Sequence, residues 1–77
     1  MKFRYYPETD QLYIELSATP GADAREVGPG VVVDYDAQGY VVGIDVEDAS
    51  QHVDLSRLEA DGLPAHALAM RAAAVGE

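Results

Sequence analysis

Residues 28–47, GPGVVVDYDAQGYVVGIDVE, decide the fold because two runs of strand-forming residues flank a short polar break. The break at residues 36–39 has the composition of a type I turn closed by a left-handed glycine and its bulge. The register of such a hairpin predicts three cross-strand pairs of large side chains on one face: Tyr35 with Tyr40, Val33 with Val42, and Val31 with Ile44. A slip of one residue would mix the two faces, so the pattern specifies this register.

Three further strands precede this hairpin. Residues 2–6 and residues 12–16 alternate apolar and polar side chains, as half-buried strands do. Between them stands Pro7, which cannot donate to a strand ladder and favours a turn. A short strand at residues 24–27 leads into the central hairpin. Residues 1–47 therefore predict an antiparallel β-meander of four to five strands.

After Asp48 the apolar side chains recur at helical rather than strand spacing. Asp54 is a good N-cap for a helix over residues 55–61, and Gly62 stands where a helix commonly ends. Pro64 then opens a second, alanine-rich stretch, because proline is favoured in the first turn of a helix. We therefore expect one or two short helices after the strands.

The predicted fold class is α+β: an antiparallel β-meander of four to five strands followed by one or two short C-terminal helices packed on one sheet face. The 77 residues are expected to form a single domain, residues 1–77, with residues 1–47 as the meander and residues 48–77 as the helical segment. A domain of this size buries only about 60% of the surface that its unfolded chain exposes, so association with another chain is expected.

Composition predicts a cytoplasmic protein. Cysteine is absent, which removes disulfides and thiolate metal sites. There is no signal-peptide pattern and no run near the ~20 apolar residues of a membrane span, so neither export nor a membrane partner is expected. The formal net charge is −9, from 14 acidic and 5 basic residues. Such a charge repels nucleic-acid phosphates and favours encounter with basic proteins.

No pattern of residues predicts a catalytic, cofactor-binding or metal site. His52 and His66 lack the spacing that would place two ligands on one helical face, and the serines lack a nucleophile-elbow context. Asp34 and Asp45 are expected on the same sheet face, but the spaced ligands of a calcium loop are absent. The prediction is a protein that is not an enzyme, has no cofactor and carries an acidic recognition surface.

Tyrosines on the more polar sheet face predict a protein interface there, because tyrosine supplies a large contact area at a low entropy cost. The candidate interface residues are Tyr6, Tyr13, Val32, Asp34, Val41 and Asp45. A second copy docked on this mixed face would cover apolar surface that the short chain cannot bury, and each copy's alanine-rich end would lie over its neighbour. A homodimer is therefore expected.

Three strings closely resemble a small bacterial family known as the domain of unknown function 2283 family: YYPETDQLYIELS, REVGPGVVVDYDAQGYVVGIDVEDAS and VDLSRLEADGLP. Together they cover most of residues 5–64. The letters that carry the resemblance are Tyr5, Pro7, Glu8, Asp10, Leu12, Tyr13, Ile14, Leu16, Val32, Asp34, Gly39, Val42, Gly43, Ile44, Glu47, Ala49 and Ser50.

The resemblance implies a function only in outline, since some members look like the antitoxin half of small toxin–antitoxin gene pairs. The predicted function is a non-enzymatic, acidic protein-binding domain, antitoxin-like, that masks a basic ribonuclease-like toxin. Two alternatives remain open: a self-associating structural or regulatory module, and a carboxylate-based metal-dependent enzyme.

Overall fold

The computed structural model describes residues 1–64, which form one five-stranded antiparallel sheet. In chain order the strands are β1 (Lys2–Tyr6), β2 (Gln11–Glu15), β3 (Asp23–Gly28), β4 (Val31–Tyr35) and β5 (Val41–Val46). A single 3₁₀ turn, Ala49–Gln51, follows β5. Within the described residues, no helix is long and apolar enough to cross a membrane.

The order of strands across the sheet is β1-β2-β5-β4-β3. The strands β3, β4 and β5 form a meander, and the β1–β2 hairpin joins the free side of β5. The predicted simple meander is therefore wrong at one connection, since β2 pairs with β5 and not with β3. The charged, exposed β3 lies at an outer edge, where charged side chains discourage pairing with other chains.

The predicted α+β class is also wrong, because the described residues contain no α-helix. The expected helix at residues 55–61 does not form, although Asp54 accepts bonds from the backbone N–H and the hydroxyl of Ser56 as a capping residue would. Gly62 has the expected positive φ of 80°. A segment this short needs tertiary packing to become helical, and its leucines are 42–58% exposed. The second expected helix, after Pro64, lies outside the described residues.

The predicted pairing of β4 with β5 is wrong by two residues. The expected left-handed glycine is present, since Gly39 has φ 90° and its N–H donates to the Asp36 carbonyl at 3.0 Å. However, the Asp36 carboxylate accepts the N–H groups of Gln38 and Tyr40, both at 2.9 Å. These bonds make Asp36, and not Tyr35, the residue opposite Tyr40, so the register moves by one residue.

A bulge at Val42 moves the register by a second residue, because Tyr35 pairs with Val41 while Asp34 pairs with Gly43. The observed pairs are Val33 with Ile44 and Val31 with Val46. Because side chains alternate with a period of two, a displacement of two residues leaves them on their expected faces. Outside the bulge the faces were therefore predictable even though the pairs were not.

Cross-strand pairing sorts the side chains into two faces. We call one the apolar face. It consists of two rows of cross-strand partners and of Tyr35, which lies on the same side of β4. The first row is Phe3, Ile14, Ile44 and Val33, and the second row is Tyr5, Leu12, Val46 and Val31. We call the other the polar face; it comprises Lys2, Arg4, Tyr6, Gln11, Tyr13, Glu15, Ala24, Glu26, Val32, Asp34, Gly43 and Asp45.

The core of the described residues is thin. Only Val42, Val46 and Ala49 are buried hydrophobic residues, and no large side chain is fully buried. On the apolar face Phe3 remains 47% exposed and Tyr5 40% exposed. The sheet is therefore a single layer over residues 1–64.

A cluster around Asp10 fastens the β1–β2 loop to the end of β5. The Asp10 carboxylate accepts the Tyr5 hydroxyl at 2.7 Å, the Ser50 hydroxyl at 2.6 Å and the Ser50 N–H at 3.0 Å. The Asp10 carbonyl accepts the Ala49 N–H at 2.8 Å. Asp10 adopts a positive φ of 55°, which aspartate tolerates better than most residues. Residues 40 positions apart in sequence are thereby held together.

We expect Asp10→Asn to lower the melting temperature at neutral pH, because it weakens three charge-assisted hydrogen bonds while keeping a side chain that tolerates positive φ. The bond from the Ser50 hydroxyl, and then that from Tyr5, lowers the pKa of the Asp10 carboxyl. A carboxyl whose pKa is lower in the folded state stabilises the fold at pH values above its unfolded-state pKa of about 3.9. This stabilisation is lost as the pH falls through the folded-state pKa.

The difference in melting temperature between the wild type and Asp10→Asn should therefore be full at about pH 7 and shrink markedly by about pH 3. Thermal melts followed by circular dichroism measure it. Asp61→Asn, at an exposed residue outside the sheet, is the control and should melt like the wild type at both pH values. A deficit for Asp10→Asn that is equally large at both pH values would contradict this role for the carboxylate.

Candidate protein-binding face

Five of the six residues selected from the sequence lie on the polar face: Tyr6, Tyr13, Val32, Asp34 and Asp45. The alternation of β1, β2, β4 and β5 brings them to one side of the sheet. The sixth, Val41, lies opposite Tyr35 at the bulge and is 42% exposed. The bulge removes Val41 from the strict alternation, so it does not join the others.

Tyr13 crosses the centre of the polar face. It stands on β2 opposite Asp45, and its hydroxyl donates to Asp34 Oδ2 on β4 at 3.1 Å. The ring reaches Asp34 by passing over Gly43 of the intervening β5. A Cβ atom at position 43 would lie 2.8 Å from the ring carbon that carries the hydroxyl, so the ring needs glycine there.

The surroundings of Tyr13 raise the pKa of its hydroxyl. Burial contributes most, followed by the hydrogen bond to Asp34 and the charges of Asp34, Glu15 and Asp45. All of these factors oppose a second negative charge at the centre of an acidic patch. Tyr13 therefore acts as a neutral donor to the Asp34 carboxylate.

Gln11 holds the second central carboxylate in a similar way. Its amide nitrogen lies 2.7 Å from each oxygen of Asp45. Sequence reasoning missed Gln11, although its position two residues before Tyr13 on the same strand places both on one face. The two central carboxylates thus each receive an uncharged donor from β2.

A shallow, open depression lies beside these bonds. Its lining residues are Tyr6, Glu8, Thr9, Gln11, Tyr13 and Asp34. The β1–β2 loop forms one rim, and Tyr6, which is 39% exposed, stands beside it. An open depression bordered by aromatic rings and carboxylates suits a protruding side chain of another protein better than an enclosed small molecule.

The negative charge of the polar face is not neutralised at its centre. The ion pairs found among residues 1–64 are Arg25 with Asp23, at 3.2 Å, and Arg57 with Glu59. Both pairs are exposed and join residues two positions apart, so neither involves Asp34 or Asp45. The basic residues of this face, Lys2 and Arg4, stand on the edge strand β1.

In the part of the chain that the structure describes, titratable groups away from the polar face do not form a second site. Over residues 1–64, no three side chains of the kinds that ligate metals converge. Ser50 donates its hydroxyl to Asp10 within the cluster described above, so that hydroxyl holds strands together. His66 lies outside the described residues.

We expect Gly43→Ala to destabilise the fold because the new methyl group displaces the Tyr13 ring from its bond to Asp34. In a Tyr13→Ala background the same change should be neutral or stabilising, since alanine is favoured over glycine in a strand by roughly 0.5–1 kcal/mol. Urea unfolding of the four chains gives the coupling free energy, which we expect to be about 1 kcal/mol or more. Additive effects, within ~0.3 kcal/mol, would show that the ring does not occupy this position.

One family comparison matches this chain. The family described as "Protein of unknown function (DUF2283)" matches residues 2–50. No curated protein and no solved structure matches the chain. The matched residues are more than half of the chain, and they include all five strands, Tyr13, Gly43, Asp34 and the cluster around Asp10. The resemblance noted in the sequence is thereby confirmed, and the chain belongs to the DUF2283 family of proteins of unknown function.

Proposed function

We propose that this chain is a non-enzymatic protein-binding domain whose polar face receives a basic protein. The observation that carries the proposal is a pair of hydrogen-bonded carboxylates. The uncharged donors Tyr13 and Gln11 hold Asp34 and Asp45, respectively, in place. Carboxylates that neutral donors hold in place offer fixed acceptors to an incoming lysine or arginine. A partner that supplies such cations gains charge-assisted hydrogen bonds without having to order the acceptors.

The tyrosines of the same face support a protein as the partner. Tyr6 and Tyr13 flank the depression, and tyrosine is enriched among residues that dominate binding energy at protein interfaces. A formal charge of −9 also steers basic molecules toward the chain before contact. Direct binding to nucleic acid is disfavoured by the same charge.

More specifically, we propose that the chain acts as an antitoxin in a bacterial cytoplasm and that its partner is a basic ribonuclease-like toxin. A protein that binds RNA presents cations where phosphates lie. The fixed carboxylates of the polar face are suited to pair with those cations and so exclude the RNA. Small size, acidity and the absence of cysteine accord with this role.

Co-expression with the product of the neighbouring gene tests this function. We expect a basic protein that co-purifies with this chain and whose ribonuclease activity falls when the complex forms. Isothermal titration should show binding that weakens as salt rises. Tyr13→Ala should weaken the complex most, by roughly 2 kcal/mol, as expected of an interface anchor.

Asp34→Asn and Asp61→Asn form a matched pair, since each removes one negative charge but only Asp34 lies on the polar face. We expect Asp34→Asn to weaken the complex and Asp61→Asn to leave it nearly unchanged. Equal effects would indicate that net charge alone drives association. A neighbouring gene product that is not basic, or that does not bind, would reject the antitoxin-like role.

A further inference from the structure

The apolar face is the largest feature that the proposed function does not use. Its two rows of side chains run without a break from β1 to β4. Phe3 and Tyr5 on the edge strand are 47% and 40% exposed, and neighbouring Leu16 is 38% exposed. The central Ile14 and Ile44 are only partly buried. Contiguous exposed apolar surface of this kind marks an interaction site.

The size of this face can be estimated from sheet geometry. Strands lie about 4.8 Å apart and rise about 3.3 Å per residue, so the four strands that carry the face, at five residues each, present a footprint of roughly 320 Å². Two such footprints, roughly 640 Å² before the relief of the side chains is added, lie below the ~1,000 Å² of a stable specific interface and within the range of weak, transient contacts. The face is thus large enough for a weak, reversible dimer.

The distribution of charge favours a second copy over a basic partner on this face. Its two rows contain no carboxylate. On β3 the same side of the sheet carries Asp23 opposite Tyr35 and Arg25 opposite Val33, and these two side chains form an ion pair at 3.2 Å. A basic protein would therefore find on this side of β3 a carboxylate that already has a cation. Two copies of the face, in contrast, can meet through the two apolar rows without burying an unpaired carboxylate.

The extent of the family match also favours a second copy. Residues 2–50 contain every residue of the apolar face but only one 3₁₀ turn beyond the strands. The matched unit therefore has no second layer of its own. Beyond it, Leu55, Leu58 and Leu63 are 42–58% exposed, so residues 52–64 do not form a packed layer either.

We propose that the apolar face is the contact between two copies of this chain, packed face to face about a two-fold axis. A two-fold contact uses the same surface on both copies, and two sheets packed in this way share a core about 10 Å thick. The contact lies on the opposite side of the sheet from the mixed face on which the sequence predicted a homodimer. The polar face of each copy remains accessible in such a dimer.

Sedimentation equilibrium of the full chain over about 1 to 300 µM tests the proposal. We expect a reversible dimer with a dissociation constant in the micromolar range. Phe3→Thr should weaken it about tenfold or more, because the two-fold contact loses the ring twice. Threonine suits a strand, so the variant should retain the far-ultraviolet circular dichroism of the wild type.

Tyr6→Thr is the matched control, since Tyr6 lies on the same strand with a similar exposure of 39% but faces the other side. It should leave the dimer intact. A monomeric wild type at the highest concentration overturns the proposal, as does a dimer that Phe3→Thr does not weaken. Loss of the dimer on Leu68→Ser with Met70→Ser, but not on Phe3→Thr, would place the contact beyond residue 64 and would also overturn it.

Discussion

The structure depends on the hydrogen bonding of β5 to two strands at once. Its partners come from different parts of the chain: β4 precedes it directly, whereas β2 lies about thirty residues earlier. Contacts between residues so far apart cost loop-closure entropy before they contribute stability. Both ends of the β2–β5 pairing are accordingly fastened. Asp10 holds Ala49 and Ser50 at one end, while the Leu16 and Ser17 N–H groups both donate to the Val42 carbonyl at the other.

The same pairing gives the sheet two chemically distinct faces. Ile14 and Ile44 align on one face, and Tyr13 and Asp45 align on the other. Because Tyr13 reaches across Gly43 to Asp34, the polar face has a fixed arrangement of acceptors at its centre. The polar anchor of the apolar face lies at its edge, where the Tyr5 hydroxyl donates to Asp10, and the stability of its centre depends on what covers it. A single sheet with these two faces can associate with itself on one side and with a different protein on the other.

Much of the sheet could be predicted from the sequence. Alternation of side chains placed Tyr6, Tyr13, Asp34 and Asp45 on one face, because that assignment depends only on the period of two. The pairs themselves could not be predicted. The Asp36 carboxylate closes the turn one residue later than composition suggested, and a bulge at Val42 adds one more residue. Neither feature changes the apolar pattern from which a register is inferred.

The insertion of β5 between two hairpins was also not predictable from local signals. Hydrophobic patterning indicates which residues form strands, but it carries little information on which strand pairs with which. The expected helix at residues 55–61 failed for a related reason, since the cap at Asp54 forms but Leu55 and Leu58 stay 42% and 58% exposed among residues 1–64. Gln11 and the cluster around Asp10 were missed because their partners are more than thirty residues away.

Solvent paramagnetic relaxation of methyl protons, measured at low and at high protein concentration, tests most directly whether the two faces of the sheet serve different contacts. We expect the methyl groups of Ile14, Ile44 and Val33 to lose contact with the paramagnetic probe as concentration rises. The exposure of the Val32 methyl groups on the polar face should not change. Equal changes on both faces, or no change on either, would contradict this division of contacts.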